Sequence, residues 1–313
     1  QWSLERTRAK DWWGSNPTLD ASKVIVAILD TGLDINPPEF TGRIVGAKNT
    51  FDPAQGSVVT DDSGHGTHCA GIIGATGNNP GANGMAGLAW DAKLMPVKVL
   101  GPQGGGDASI LAGIDYVIQY NEDSAHTEKV RVINMSLGSS MYNQSLAYDD
   151  AFQYARSKGI VVCVAAGNDA SEVASPSNNR YCLSVSSTSV YRVGTNSWEM
   201  LSGFSNRGER IDVAAPGGNI WSTIPGGYAY KSGTSMATPF VAGLAALVVA
   251  QQVNRGATPE EYAPRNAAFV DQVMQHLEGT SDDLGAPGKD VQFGWGRVNV
   301  KKAMETAFPA ALP

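Results

Sequence analysis

The stretch DDSGHGTHCAGIIG at residues 61–74 brings His65, His68 and Cys69 within five positions of one another. The pattern from His65 onward predicts the start of a helix, and positions i, i+3 and i+4 share one helix face. Zinc is therefore a first interpretation, but a closed zinc site needs four nitrogen or sulfur ligands. The other histidines and cysteines are His126, His276, Cys163 and Cys182. These show no pair spacing that completes such a site, so a zinc ion with carboxylate ligands and a catalytic base both stay open.

Two further segments carry groups suited to nucleophilic catalysis. AILDTG at residues 27–32 ends an apolar run with the carboxylate of Asp30, which either forms a structural turn or orients a cation or an imidazole. GTSMATPFVAGLAALVVA at residues 233–250 predicts an apolar helix with Ser235 at its N-terminus. Free N–H groups and the helix dipole favour developing negative charge there. On its own, a serine at this position is more often a helix cap.

The elements that must position these groups follow from the hydrophobic pattern. Apolar, β-branched runs predict strands within residues 23–32, 92–101, 130–138, 159–168 and 181–188, and helical patterns lie at 107–120 and 145–159. Strands that alternate with helices predict an α/β fold, with a parallel sheet covered on both faces. Asp30, Ser136 and Asn168 end three different strands, and functional groups of such sheets gather at the carboxyl ends. One composite site is therefore predicted.

Composition sets the class of protein. The 313 residues are 42% hydrophobic, include 36 glycines and carry a formal net charge of −7. We predict a single domain over 1–313, with residues 1–20 as an N-terminal arm, and a monomer. The negative charge lacks the basic footprint of a nucleic-acid partner. The apolar run at 241–250 is shorter than the roughly 20 residues that span a bilayer, so no membrane partner is expected.

Five short segments occur in a characteristic order along the chain. They are AILDTG, GHGTHCAG, INMSLG, VAAGN and SGTSMATPFVAG. In this order they resemble the subtilisin-like serine proteases, the subtilases, and FGWGRVNVKKAM at residues 293–304 resembles the closing segment of that family. The resemblance spans nearly the whole chain. It implies the subtilisin-like three-layer α/β/α fold with a central, mostly parallel sheet.

The resemblance also implies catalytic roles. Asp30 is expected to orient the imidazole, His65 to act as general base and Ser235 as nucleophile, in the Asp, His, Ser chain order of subtilisin. A serine hydroxyl needs such a base because it is a poor nucleophile until its proton is removed. Asn168 is expected to donate a hydrogen bond to the oxyanion of the tetrahedral intermediate.

The residues around His65 have competing interpretations. Asp61 and Asp62 lie nearer to it in sequence than Asp30 does, but triad members meet only in the folded chain, so we expect loop carboxylates that are exposed or capping. We expect His68 to be a packed core residue. Cys69 is predicted to be a buried thiol behind the imidazole, so thiol-binding heavy metals are expected to inhibit.

Two segments, GPQGGGDA and SLGS, are implied to flank an extended substrate peptide. Glycines let another backbone approach and pair as an added strand, although a mobile glycine-rich loop is the alternative. The expected substrate-binding residues are Gly104, Gly105, Gly106, Ser136, Leu137, Gly138, Ala166, Gly167 and Asp169. Small, apolar residues predict broad specificity, and Asp169 adds a weak, screened attraction for Lys or Arg side chains.

The resemblance further implies a structural calcium ion and no catalytic cofactor. Glu39, Asn78 and Asn83 would supply hard oxygen ligands that suit Ca²⁺. The implied partners are protein and peptide substrates, protein inhibitors and an N-terminal pro-segment that is removed from a zymogen. The start at Gln1, without an initiator Met or signal peptide, predicts a processed, secreted form. Cys163 and Cys182 allow either one disulfide bridge or two buried thiols.

The predicted function is that of a secreted endopeptidase. A macrocyclase or transpeptidase of the same fold is an alternative that needs an insertion to shield the acyl-enzyme from water, and 121–130 is the candidate segment. A non-catalytic binding or scaffold protein is the alternative of a different class. It would have no physical need for Asp30, His65, Asn168 and Ser235 together.

Overall fold

Eight strands form the central sheet of the computed structural model. The structure describes residues 1–15, 19–77, 84–139, 142, 145–193, 195–256 and 263–309. The strands are β1 (Val24–Asp30), β2 (Lys48–Asn49), β3 (Lys93–Lys98), β4 (Lys129–Met135), β5 (Val161–Ala165), β6 (Leu183–Val193), β7 (Asn196–Leu201) and β8 (Val213–Pro216). Their order is β2-β3-β1-β4-β5-β6-β7, and β8 pairs with β6. The pairs are parallel except β6 with β7.

A separate antiparallel hairpin and the helices surround this sheet. The hairpin is β9 (Ile220–Ile224) with β10 (Gly227–Lys231). The helices are α1 (Trp2–Arg6), α2 (Ala9–Ser15), α3 (His65–Gly74), α4 (Asp107–Glu122), α5 (Leu146–Ser157), α6 (Thr234–Val253), α7 (Ala267–Gly279) and α8 (Val300–Glu305). Short 3-10 turns lie at Pro38–Phe40 and Pro53–Gln55.

The alternation of side chains along β1 creates two cores. Val24, Val26 and Ile28 join a cluster that includes residues of α3, α6 and α7, whereas Ile25 and Leu29 join a cluster with α4 and α5. Successive strand residues point to opposite faces, so a strand with apolar residues at every position must be covered on both sides. The three-layer α/β/α prediction is confirmed.

Helix α6 runs through one of these cores. It has 20 residues, twice the length of the apolar run seen in the sequence. By length and composition it is the one helix in the described part of the chain that could cross a membrane, with a mean hydropathy of 1.6. Because 94% of the 18-residue stretch of α6 that has this hydropathy is buried inside the protein, the apolar surface of the helix is already used in packing.

The N-terminal residues and the cysteines are also placed by packing. The predicted arm forms α1 and α2, and Trp12 of α2 is buried in the same core as α6. Cys163 and Cys182 are both free and buried. Cys163 pairs with Leu183, so Cys182 lies one residue out of phase and faces the opposite core. Two separate thiols result.

Candidate active site

The carboxyl end of β1 holds a buried ion pair. All seven residues of β1 are buried, and the strand ends on Asp30. His65 is the first residue of α3, and its Nδ1–H donates to Asp30 Oδ1 over 2.7 Å. The backbone N–H of Thr31 donates to the same oxygen over 2.7 Å. A carboxylate that accepts from Nδ1 selects the tautomer whose Nε2 lone pair is free to take a proton.

Burial and three neighbouring side chains act on the pKa of His65. Burial lowers it, the charge and hydrogen bond of Asp30 raise it, the charge of Lys231 lowers it, and the charge of Asp61 raises it. The net result is a pKa above the usual 6.5. The paired carboxylate therefore stabilises the imidazolium form that a general base adopts during catalysis.

Asp61 holds the start of α3 rather than the imidazole. Its Oδ1 accepts from the N–H groups of Ser63 (3.1 Å) and Gly64 (2.9 Å), and its Oδ2 accepts from Thr67 N (2.8 Å). Burial raises the pKa of this carboxyl. The hydrogen bonds, those from Thr67 foremost, lower the pKa by more than burial raises it, so the net pKa is below its usual value. The neighbouring Asp62 side chain is 52% exposed. Both carboxylates have the capping or exposed positions expected of them.

Helix α6 delivers Ser235 to the same edge of the sheet. Ser235 is the second residue of the helix, and its Oγ donates to the carbonyl O of Ser136 over 3.1 Å. Its own carbonyl O accepts from Ser136 Oγ (2.9 Å) and from Cys69 Sγ (3.4 Å). The structure shows no Ser235 to His65 hydrogen bond in its described part. Such bonds are often long before substrate binds.

Asn168 follows β5 and is anchored by one end of its amide. Its Oδ1 accepts from Thr234 N (2.8 Å) and Thr234 Oγ1 (3.1 Å), and Gly167 N donates to Thr234 Oγ1 (3.2 Å). Asn168 is an exposed residue that lines one cavity with Ser235, so with Oδ1 held in this way its Nδ2 group is left to donate to a ligand there. Sequence reasoning missed Thr234. Its place directly before the serine in GTS is the signal that could have found it.

Two cavities meet at this edge. One of about 600 Å³ is lined by His65, Gly104, Gly105 and Ser136 with Leu137 and Gly138, together with Lys231, Asp107 and Tyr148. The other, about 370 Å³, is lined by Leu137, Gly138, Ala166, Gly167, Asn168, Asp169 and Ser235. These residues include every predicted substrate-binding position except Gly106, which is instead the residue that precedes α4.

Lys231 is a cationic residue of this cleft that sequence reasoning missed. It ends β10, and it lines the larger cavity with His65. Its positive charge lowers the pKa of His65, His68 and Cys69. In the sequence it is one lysine among many, so no signal could have selected it.

Of the three residues that suggested zinc, His68 is engaged elsewhere, whereas His65 and Cys69 remain close together. His68 is wholly buried, and its Nε2 lies 3.1 Å from the carbonyl O atoms of Ile220 and Ala229. Burial lowers the pKa of His68 to about 4. The ligand atoms of His65, Cys69 and Asp30 lie within 4.8 Å of one another. Burial and the charge of Asp30 raise the pKa of the Cys69 thiol.

Glu39 is the predicted calcium ligand that the structure describes, because Asn78 and Asn83 lie outside the described residues. Its side chain is buried. Oε1 accepts a hydrogen bond from the Tyr228 hydroxyl, whereas buried Oε2 has no partner among the described residues. A buried carboxylate oxygen without a donor fits a cation ligand.

The sequence of this chain is similar to those of known proteins of one family. The family model described as "Subtilase family" matches residues 21–296. Serine protease AprX of Bacillus subtilis (strain 168) is 37% identical over 83% of this chain, and thermitase of Thermoactinomyces vulgaris is 35% identical over 97%. Subtilisin E of Bacillus subtilis (strain 168) is 39% identical over 91%. The chain spans 64%, 96% and 66% of the lengths of these three relatives, respectively. The chain belongs to the subtilase family.

Proposed function

We propose that this chain is a serine endopeptidase that works through Asp30, His65 and Ser235. The observation that carries the proposal is the 2.7 Å hydrogen bond from His65 to a wholly buried Asp30. It fixes a base at the edge of the sheet where α6 presents Ser235 and where Asn168 has an anchored amide. A binding protein would have no physical need for a wholly buried carboxylate paired with an imidazole that is 24% exposed beside Ser235 and Asn168.

The proposed reaction has two stages. His65 takes the proton of Ser235 as Oγ attacks the scissile carbonyl carbon, and Asp30 stabilises the resulting imidazolium. The Asn168 Nδ2 group and the Ser235 N–H stabilise the oxyanion. His65 then protonates the leaving amine as the C–N bond breaks, which leaves an acyl-enzyme. Water, activated by the same base, releases the acid and restores Ser235.

Substrate binding is proposed to use both cavities. A peptide would lie between the 104–106 and 136–138 segments, where exposed glycines give its backbone room to pair. The 370 Å³ cavity beside Ser235 would take the side chain before the cut. Its small lining residues favour broad specificity, with Asp169 adding attraction for Lys or Arg.

Hydrolysis is favoured over peptide ligation by the position of the 121–130 segment. This segment joins the end of α4 to the start of β4. The start of β4 lies at the edge opposite Ser136, which follows the last residue of that strand. Shielding of an acyl-enzyme needs a cover over the site, and a segment at the far edge cannot supply one.

The wider biology is also proposed from the family. We propose a secreted monomer that is made as a zymogen with an N-terminal pro-segment and is open to protein inhibitors. Membership of the subtilase family is what supports this proposal. A net charge of −7 argues against a nucleic-acid partner.

Replacement of the nucleophile tests the activity. Ser235→Ala should remove proteolysis and leave the fold intact, because only one partly buried hydrogen bond to Ser136 is lost and the side chain shrinks by a single oxygen atom. A serine-directed fluorophosphonate should label the native enzyme, and peptide mapping should find the adduct on Ser235. Full activity in Ser235→Ala, or an adduct elsewhere, contradicts the assignment.

Calcium is proposed to be structural, held by Glu39 with Asn78 and Asn83, and it would stabilise the fold. A chelator should therefore lower the thermal midpoint of unfolding, and added Ca²⁺ should restore it. Glu39→Gln should weaken this dependence, while Glu305→Gln, an exposed carboxylate on α8, should not. A midpoint that chelator leaves unchanged contradicts the proposal.

A further inference from the structure

The side chain of one buried asparagine, Asn206, forms hydrogen bonds with the loop that carries Asn168. Its Oδ1 accepts from the N–H groups of Asp169 (2.8 Å) and Ser171 (3.1 Å). Its Nδ2 donates to the carbonyl O of Ala166 over 3.1 Å. The Asn206 side chain is 0% exposed. These bonds reach the backbone on both sides of Asn168.

Two residues of the loop have positive φ, a glycine that tolerates it and an alanine that rarely adopts it. Gly167 has φ +107° and Ala170 has φ +51°, in the region that L side chains rarely adopt. A Cβ at Gly167 would lie 2.2 Å from Asn206 Nδ2. Two main-chain hydrogen bonds of 2.9 Å also join the loop to the 204–206 segment. One runs from Asn206 N to Gly167 O and the other from Ala170 N to Phe204 O. The segment that follows β7 therefore imposes the conformation of this loop.

We propose that Asn206 is a positioning residue for catalysis, which acts by holding the loop so that Asn168 Nδ2 meets the developing oxyanion. The inference rests on the proposed function. An oxyanion donor works best when it is in place before the reaction, because no energy is then spent on reorienting it. Thr234 fixes the amide oxygen of Asn168, and Asn206 fixes the backbone from which that amide projects.

The same loop also forms part of the 370 Å³ cavity, so three roles of Asn206 have to be told apart. If Asn206 positions the oxyanion donor, its loss lowers kcat, since the interaction is made only in the transition state. If it merely shapes the binding cavity, its loss raises KM. A purely structural role would lower the thermal midpoint and leave both constants, per folded molecule, unchanged.

The experiment compares Asn206→Ala with Asn121→Ala. Asn121 is a matched control because it is 4% exposed and bonds to Val130 O (2.8 Å) and Val130 N (2.7 Å), at the opposite edge of the sheet. Fluorophosphonate titration of Ser235 counts the competent molecules, so kcat is expressed per active enzyme. If Asn206→Ala does not fold, Asn206→Ser takes its place, since it leaves a smaller cavity.

Asn206→Ala should lower kcat about tenfold or more, a share of the roughly 10²–10³ that loss of a whole oxyanion donor costs. KM should stay within about twofold, and Asn121→Ala should keep the native kcat. In an Asn168→Ala background, Asn206→Ala should cost less than about twofold, because the group that it positions is gone.

Three results would overturn the inference: an unchanged kcat in Asn206→Ala, an effect confined to KM, or the same loss in both backgrounds. In each of these the native enzyme still cleaves peptide and carries label on Ser235. A native enzyme that neither cleaves nor labels at Ser235 refutes the proposed function itself, and the two failures are thereby distinguished.

Discussion

At the residue scale, the hydrogen bond from His65 to Asp30 joins groups 35 positions apart. Asp61 is far closer in sequence, but its oxygens are used by N–H groups at the start of α3. The choice of carboxylate follows from where each oxygen lies and from which donors it already serves. Nearness along the chain has no part in it.

Lys231 gives a prediction for the pH dependence of activity. A base must be neutral to accept a proton, so kcat/KM falls as pH drops through the pKa of His65, which is raised above 6.5. The Lys231 charge opposes that rise. Lys231→Met should therefore move the acid limb of the kcat/KM profile, measured with an uncharged peptide, to higher pH.

Lys301→Met is the control for the loss of one positive charge, because Lys301 lies on α8, away from the cleft. Its acid limb should match that of the native enzyme. An unmoved limb in Lys231→Met, or an equal movement in both variants, would show that Lys231 does not act on His65.

At the element scale, helix starts present two of the side chains proposed to be catalytic. His65 is the first residue of α3 and Ser235 the second of α6, so each side chain leaves the helix at the edge where β1 and β4 end. Parallel strands bring their carboxyl ends to one edge, and the helices that return to that edge add their N-termini to it. This geometry explains why segments distant in sequence converge.

The contact of α3 with the end of β1 gives a prediction about Gly66. A Cβ there would lie 2.1 Å from the carbonyl O of Gly32 and 3.1 Å from Asp30 Cβ. Because backbone cannot yield easily, Gly66→Ala should lower the free energy of unfolding by about 1–3 kcal/mol or more. It should also lower kcat, since α3 must shift away from Asp30.

Gly14→Ala is the matched comparison, as this helical glycine has nothing within 4 Å of an added Cβ. It should stabilise the protein by roughly 0.5–1 kcal/mol. Denaturant unfolding of both variants in a Ser235→Ala background, which prevents self-digestion, measures the difference. Similar values for the two would contradict the close approach of α3 to β1.

At the scale of the whole molecule, His68 ties α3 to the β9–β10 hairpin and makes stability depend on pH. Its pKa is about 4 in the folded protein, against the usual 6.5 of a solvated histidine in the unfolded chain. Its contribution is therefore present above pH 6.5 and is lost as pH falls toward 4, on the order of 3 kcal/mol in total. His68→Gln should flatten this fall in unfolding free energy.

His126→Gln is the control for that measurement, since His126 is a partly exposed residue after α4. Urea unfolding between about pH 4 and about pH 7, again in the Ser235→Ala background, gives the slopes. If the native and His68→Gln slopes agree, His68 does not carry the acid sensitivity.

Much of the architecture was readable from the sequence because its causes are local. The β-branched runs at 23–32 and 159–168 became β1 and β5, and the pattern at 107–120 became α4. Residue types in short motifs also marked the catalytic candidates, whose roles remain predictions. Gly106, which was expected at the substrate, is the exposed residue that precedes α4, and its contact with substrate stays a prediction.

What the sequence alone determined is the alternation of strands and helices, and which side chains have the chemistry of a protease. What only the tertiary structure decided is which of these groups meet. Asp30 rather than Asp61 faces His65, Cys163 and Cys182 face opposite cores, and Asn206 holds the loop of Asn168. Local patterns follow from neighbouring residues, whereas these contacts depend on strand register and helix packing between segments distant in the chain.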